Sequence, residues 1–284
     1  MKTTTVVLAM MAVPLIITWA SAAGPAPARR AIPWDVASLS KTPVAHPTKE
    51  RPAAGMRSFT QINPKKIGLT GISWGGTIVS AVAGIDSRFA FVIPVYGGGF
   101  IHQHEMTPDQ YRDYLAKWDP SAYLPRAKMP MLWVSGFNEP VFPLNLFSKP
   151  AETAGGTATL CIRPFLPHGH GFGWEDVWEI GGFANGVVKG TAPMPRFGRP
   201  QVDPKDGRGH AKFTGELKSA AVGFTTAAEW KNQTLSTIPC PLSKDEVIAG
   251  SRLPAGTTAY MIIASGSGVW GDASIDSVLV ALTP

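Results

Sequence analysis

Lys66-Ile67-Gly68-Leu69-Thr70-Gly71-Ile72-Ser73-Trp74-Gly75-Gly76-Thr77 is the stretch that decides how this chain folds. An apolar run enters a sharp turn with Gly two residues to either side of Ser73, and small residues suited to a helix follow from Thr77 to Ala83. Strand, Gly-flanked turn and helix in that order lift a serine hydroxyl clear of the backbone, so Ser73 is the first candidate nucleophile. The glycines have a steric reason: the turn draws strand and helix backbones together, and a side chain two positions from the serine would collide with one of them. With 30 Gly in 284 residues, Gly-x-Ser-x-Gly arises by chance roughly 0.2 times per chain, so the pattern carries weight through the strand before it and the helix after it. The bland alternative is an ordinary strand-to-helix turn with a structural Ser.

Downstream of this turn, strand-like and helix-like stretches alternate. Expected strands are Lys66 to Thr70, Phe89 to Tyr96, Met131 to Ser135 and Thr159 to Phe165; expected helices follow the turn to Ala83, then run from Pro108 to Trp118, near Leu144, and from Trp174 to Val188. Near-continuous apolar runs such as Phe89-Ala90-Phe91-Val92-Ile93 and Met131-Leu132-Trp133-Val134 suit strands covered on both faces, as in a parallel sheet. The fold class is therefore α/β over residues 65–192. Beyond Pro193, Pro195 and Pro200 the pattern changes to short alternating segments at Lys212 to Leu217, Ala220 to Thr225, Val247 to Ser251, Thr257 to Ala264 and Ser277 to Leu282. These predict a small C-terminal β-sandwich-like domain over 203–284.

Upstream, residues 1–22 read as a signal peptide: Lys2, an apolar stretch from Val6 to Trp19, then Ala20-Ser21-Ala22 as a cleavage site. The stretch contains Pro14 and is short for a membrane span, so cleavage and a secreted or periplasmic location are expected, with no stable membrane insertion afterwards. An uncleaved anchor is the alternative. Residues 23–64, rich in Pro, Ala and basic side chains without a sustained period, read as a linker or disordered arm.

The net charge of +6 comes from this upstream part: residues 1–66 hold nine Lys and Arg against Asp35 and Glu50, which leaves 17 basic and 18 acidic residues for the rest. A near-neutral body without a basic, aromatic-interleaved stripe argues against nucleic acid as a partner. Cys161 and Cys240 are too few for a disulfide framework, although a single bridge between them is compatible with export. Asn232-Gln233-Thr234 forms a glycosylation sequon.

An activated serine needs a base and a carboxylate to orient it, each on a loop after a later strand, in chain order Ser, acid, His. The chain supplies that order. Glu139 follows Met131 to Ser135 in Gly136-Phe137-Asn138-Glu139-Pro140, and two histidines follow Thr159 to Phe165 in Leu166-Pro167-His168-Gly169-His170-Gly171. His168 lies at the usual reach from the strand, and His170 sits in a Gly-His-Gly-Phe context; His168 is favoured, and His170 stays a candidate. The backbone N–H of Trp74 is the expected oxyanion donor. His102-Gln103-His104 and His168-Gly169-His170 also raise a zinc reading, but neither pair has matching Asp or Cys ligands, so no metal and no cofactor are expected.

Several further segments carry a family resemblance: the stretch Ile67 to Gly76, Ala83-Gly84-Ile85-Asp86-Ser87-Arg88-Phe89, Pro94-Val95-Tyr96-Gly97-Gly98-Gly99-Phe100, Trp118-Asp119-Pro120-Ser121-Ala122-Tyr123-Leu124-Pro125 and Pro167-His168-Gly169-His170. Together they resemble the secreted α/β-hydrolases of the acetylxylan-esterase-like and dienelactone-hydrolase-like serine hydrolase family. The resemblance implies a partial, N-terminally truncated α/β-hydrolase parallel sheet, with Glu139 where the family carries Asp and with little chain before the turn to donate a second oxyanion N–H. The strand entering Ser73 is then expected near an open sheet edge.

The resemblance implies a serine hydrolase acting on short acyl esters, acetyl groups on plant polysaccharide first, with a small ester or acylated carbohydrate as its partner. A prolyl-oligopeptidase-like peptidase shares the motif order. From another class, a catalytically impaired remnant would bind carbohydrate or a partner through exposed aromatics, for which Trp230, Tyr260 and Trp270 are the candidates, each with core packing as the alternative fate.

Overall fold

The computed structural model describes residues 8–11, 60, 62–100, 107–142, 144–166, 168–169, 177–190, 195–228, 235–266, 274–275 and 280–281. Five parallel strands form one sheet in sequential order: β1 (Leu8–Met11), β2 (Gly68–Ile72), β3 (Val92–Val95), β4 (Met131–Gly136) and β5 (Ala158–Arg163). Helices α1 (Trp74–Ile85), α2 (Pro108–Lys117), α3 (Leu144–Thr153) and α4 (Trp178–Lys189) alternate with them from β2 onward. The α/β expectation holds, and so does its reason: β2, β3 and β4 are buried at every residue, as unbroken apolar runs require.

Alternation along the strands splits the interior into two layers. Met131 and Trp133 face one side of the sheet with Leu69, Val79 and Ala83 of α1 and Phe147 and Ala151 of α3. Leu132 and Val134 face the other with Ile72, Ile93, Val95 and Cys161, under Phe183, Ala184 and Val188 of α4. The first face is thus covered by α1 and α3 and the second by α4, the helix that follows the last strand of the sheet.

Leu8–Met11 pairs in parallel with Gly68–Gly71, so β2 lies between β1 and β3 rather than at the open edge expected from the sequence. These four residues belong to the apolar run read as a leader. A chain cut after Ala22 would lack this strand, so cleavage and pairing exclude each other in one molecule. The remainder of 1–59 lies outside the described residues.

The C-terminal region is antiparallel. Strands β6 (Arg196–Phe197), β7 (Gln201–Val202), β8 (Gly209–Thr214) and β11 (Glu246–Ile248) make one sheet; β9 (Leu217–Thr225), β10 (Ser236–Cys240), β12 (Ala259–Gly266), β13 (Ser274–Ile275) and β14 (Val280–Ala281) make another. Ala211, Phe213 and Val247 of the first meet Val222, Tyr260 and Ile262 of the second in a shared core. β10 carries Pro239 and, among the described residues, pairs with β9 alone; such an edge position is where a strand tolerates a residue without an N–H, and this proline is why periodicity alone missed it.

β12 joins the two regions. Its residues Tyr260, Ile262 and Ala264 face the β core, while Ala259 and Met261 enter the cluster that holds Ile67, Val79 and Trp133. Tyr260 is 1% exposed, which removes it as a binding platform; Trp230, Trp270 and the sequon at Asn232 lie outside the described residues. Cys161 and Cys240 are unbridged thiols buried in different clusters, and burial pushes the Cys240 thiol up to about 11. The bridge between them is absent. Among the described residues no helix is long and apolar enough to cross a membrane.

Because one strand serves both cores, unfolding is expected as one transition. Met261→Ala should lower stability by about 2–5 kcal/mol, the usual range for truncating a buried long side chain. Chemical denaturation followed by fluorescence and circular dichroism checks both, and two separated transitions would show that β12 does not couple the regions.

Candidate active site

The ends of four neighbouring strands converge at one edge of the parallel sheet. Ser73 follows β2, Tyr96 follows β3, Glu139 lies three residues past β4 and His168 five past β5. The carboxyl ends of parallel strands are where α/β sheets place their sites, because the loops there are free to diverge from the packed layers.

Ser73 has φ 54° and ψ −124°, a conformation that non-glycine residues rarely adopt and that costs about 1–3 kcal/mol. Backbone contacts hold it there. Its N–H donates to the Val95 carbonyl at 3.0 Å, and its carbonyl accepts from the Thr77 N–H at 3.1 Å. A Cβ on Gly71 would sit 2.3 Å from the Gly75 carbonyl oxygen, and one on Gly97 would sit 2.1 Å from the Ser73 carbonyl oxygen. The first is the collision the motif anticipates. The second comes from a residue outside the motif.

The Ser73 Oγ lies 3.0 Å from His168 Nε2, and His168 Nδ1 lies 2.9 Å and 3.0 Å from the two oxygens of Glu139. With Nδ1–H donating to the carboxylate, Nε2 is left as the acceptor for the serine hydroxyl. The three residues that the sequence named in chain order thus form a continuous relay, and His168 is the histidine in it. His170 lies outside the described residues, as do His102 and His104. Among the described residues no group of three or more His, Cys, Asp or Glu side chains is placed to hold a metal ion.

Glu139 is wholly buried and compensated in place. Its Oε1 also accepts the backbone N–H groups of Val141 at 2.7 Å and Phe142 at 3.1 Å, so its own loop wraps the carboxylate that orients the imidazole. Hydrogen bonds of this kind offset the cost of taking a polar group out of water. Next to it, Asn138 Oδ1 accepts the Leu166 N–H at 3.0 Å and ties the acid loop to the loop that bears the base.

Further residues appear that sequence reasoning did not assign. The imidazole contacts the Tyr96 ring, centroids 4.6 Å apart, and stacks on Phe142 at 5.8 Å and 23°. The buried Asp119 accepts the N–H groups of Phe100 at 2.7 Å and Ser121 at 2.9 Å, bracing the loop that carries Gly97. Tyr96, Gly97 and Asp119 all lie in the segments that resemble the hydrolase family, which was the available signal; their partners are distant in the chain and leave no spacing to read. Trp74 is the first residue of α1, so its N–H belongs to the first turn, at the positive end of the helix dipole.

No family model matches the sequence, and no curated protein matches it. Among solved structures the chain is similar to acetyl xylan esterase 1 from a Thermoanaerobacterium species, with TM-score 0.38 and 16% identity over 48% of this chain and 50% of that one. It is also similar to an acetyl xylan esterase from a Paenibacillus species, with TM-score 0.41 and 18% identity over 48% and 50%. A third is a 2,6-dihydroxy-pseudo-oxynicotine hydrolase, with TM-score 0.39 and 18% identity over 49% and 45%. The chain spans about half the length of these structures.

The contact between Gly97 and Ser73 admits a controlled comparison with the neighbouring glycine. A Cβ on Gly98 would meet the Pro150 side chain at 3.2 Å, whereas one on Gly97 meets backbone at 2.1 Å. Gly97→Ala is expected to destabilise the protein by about 1–3 kcal/mol more than Gly98→Ala, since overpacking against backbone has no soft neighbour to yield. Equal urea midpoints for the two variants would refute the close approach.

Proposed function

We propose that the protein is a serine ester hydrolase of the α/β-hydrolase type that cleaves short acyl esters through an acyl-enzyme. The observation that carries this reading is the relay from Ser73 Oγ to His168 Nε2 at 3.0 Å and from His168 Nδ1 to Glu139 at 2.9 Å. A serine hydroxyl within hydrogen-bond reach of an imidazole whose far nitrogen is held by a buried carboxylate is a nucleophile with its base in place.

In the proposed cycle the Ser73 oxygen bonds to the ester carbonyl carbon as its proton passes to His168 Nε2. Glu139 keeps the imidazole in the tautomer that accepts there and stabilises the imidazolium that forms. Negative charge gathers on the former carbonyl oxygen, and the Trp74 N–H at the head of α1 is the donor proposed for it. As the tetrahedral intermediate collapses, the bond to the leaving oxygen breaks and that oxygen takes the proton from Nε2. Water then repeats both steps on the acyl-serine and releases the acid. Acetyl is the acyl group proposed first, on the strength of the resemblance in the sequence segments that surround these residues.

Incubation of the purified protein with a fluorophosphonate probe is expected to label Ser73, and Ser73→Ala should abolish both labelling and turnover of 4-nitrophenyl acetate. A folded wild-type protein that neither labels nor turns over the ester would sink the proposal.

Glu139 offers a finer test, because two backbone donors and the imidazole converge on one of its oxygens. Shortening it in Glu139→Asp withdraws the carboxylate by one methylene. The expected loss in kcat is about 10²-fold, as for misplacing a catalytic group by 1 Å. Glu139→Gln should lose about 10⁴-fold, because a neutral amide favours the wrong tautomer. Steady-state kinetics showing Glu139→Asp equal to wild type would mean that the carboxylate's position is unimportant.

A further inference from the structure

Tyr96 is fully buried, is the first residue past β3, and has φ 28°. Among the described residues three non-glycine side chains have positive φ, namely Ser73, Tyr96 and Phe100, and all three belong to the nucleophile turn or the loop leaving β3. A large aromatic residue held in that region is strained, and such strain persists only where surrounding contacts enforce it. The contacts are identifiable. The Tyr96 N–H donates to the Val134 carbonyl of β4 at 2.6 Å, while the carbonyl of the preceding Val95 accepts the Ser73 N–H at 3.0 Å. Two successive residues are thereby pinned to the strand on one side and to the nucleophile on the other.

The Tyr96 side chain reaches the base. Its hydroxyl donates to the carbonyl of Gly169, the residue after His168, and its ring lies against the imidazole with centroids 4.6 Å apart. Regular alternation from β3 would not set the side chain in this way, since Val95 beside it packs into the core under α4. The turn at Tyr96 redirects it. Three of the contacts that hold the described part of the base loop are Leu166 N–H to Asn138, the imidazole to Glu139, and the Gly169 carbonyl to Tyr96. The first two anchor the loop to the acid. The third refers it to the strand that also holds Ser73.

We propose that Tyr96 is a positioning residue: through its hydroxyl on Gly169 and its ring on the imidazole it sets the separation between the Ser73 hydroxyl and His168 Nε2. Val95 fixes the nucleophile and Tyr96 fixes the base, so the distance across which the proton moves is determined by two adjacent residues of one strand end. This rests on the serine hydrolase reading for its consequence in rate, though not for its consequence in geometry.

The experiment compares wild type with Tyr96→Phe, which keeps the ring and loses the hydroxyl, and with Tyr96→Leu, which loses both. Three readouts are taken: kcat and KM for 4-nitrophenyl acetate, the rate of fluorophosphonate labelling, and the low-field proton resonance of the His168 Nδ1–H hydrogen-bonded to Glu139. Tyr96→Phe should lower kcat and labelling rate by about tenfold with KM unchanged, the factor that one lost hydrogen bond yields when felt only at the reacting atoms. Its low-field resonance should shift or broaden while its melting temperature stays near that of wild type. Tyr96→Leu should lose about 10²-fold in kcat, in line with misplacement of a catalytic group; should that variant fail to fold, Tyr96→Phe decides. A folded Tyr96→Phe with wild-type kcat and an unmoved resonance would overturn the proposal. A wild-type protein that shows the resonance but neither labels nor turns over ester would overturn the hydrolase reading, and the shift or constancy of that resonance in Tyr96→Phe would still decide for or against Tyr96.

Discussion

The structure depends on a backbone contact: Ser73 occupies a strained conformation because the end of β3 grips it from one side and the first turn of α1 from the other. The Val95 carbonyl takes its N–H, the Thr77 N–H takes its carbonyl, and Gly97 lies so close to that carbonyl that only a residue without a Cβ fits. Release any of these and the serine would relax toward ordinary helix or strand geometry, and the hydroxyl would turn away from the imidazole. The strain is stored where strands are buried on both faces, which is the part of the molecule least able to move.

The same economy of backbone contacts appears around the carboxylate. A buried, unpaired Glu would be costly, but Glu139 is wrapped by the N–H groups of the two residues at the turn beyond it as well as by His168. Its length suits this arrangement: the side chain reaches the imidazole while lying back over its own loop. Asn138 beside it accepts the Leu166 N–H, so the loop of Glu139 is tied to the loop that carries His168. Elsewhere, Glu179 is buried beside Arg163 at 2.9 Å, and desolvation raises its carboxyl despite that partner. Both carboxylates are buried; Glu139 differs in being joined through His168 to a serine hydroxyl.

The C-terminal strands belong to the same packed body. β12 places alternate residues in two cores, so the antiparallel sheets brace the face of the parallel sheet that lies over α1 and α3. That face is opposite to the one covered by α4, and the site lies at the strand ends between the two layers. The sheet beside the turn at Ser73 is thus packed on both faces.

From the sequence alone came what depends on local pattern: the α/β class, the Gly-flanked turn at Ser73, and the chain order Ser73, Glu139, His168, each beyond the end of a strand. Chain order and periodicity are properties of neighbours along the backbone, and the sequence carries them directly. Folding decided which histidine meets the serine, that Leu8–Met11 sits beside β2, that Pro239 lies in an edge strand, that Tyr260 is core, and that Tyr96 turns toward the base. Each of these rests on contacts that reach beyond the local stretch of sequence. Such contacts are set by how whole layers pack, and no local spacing records them.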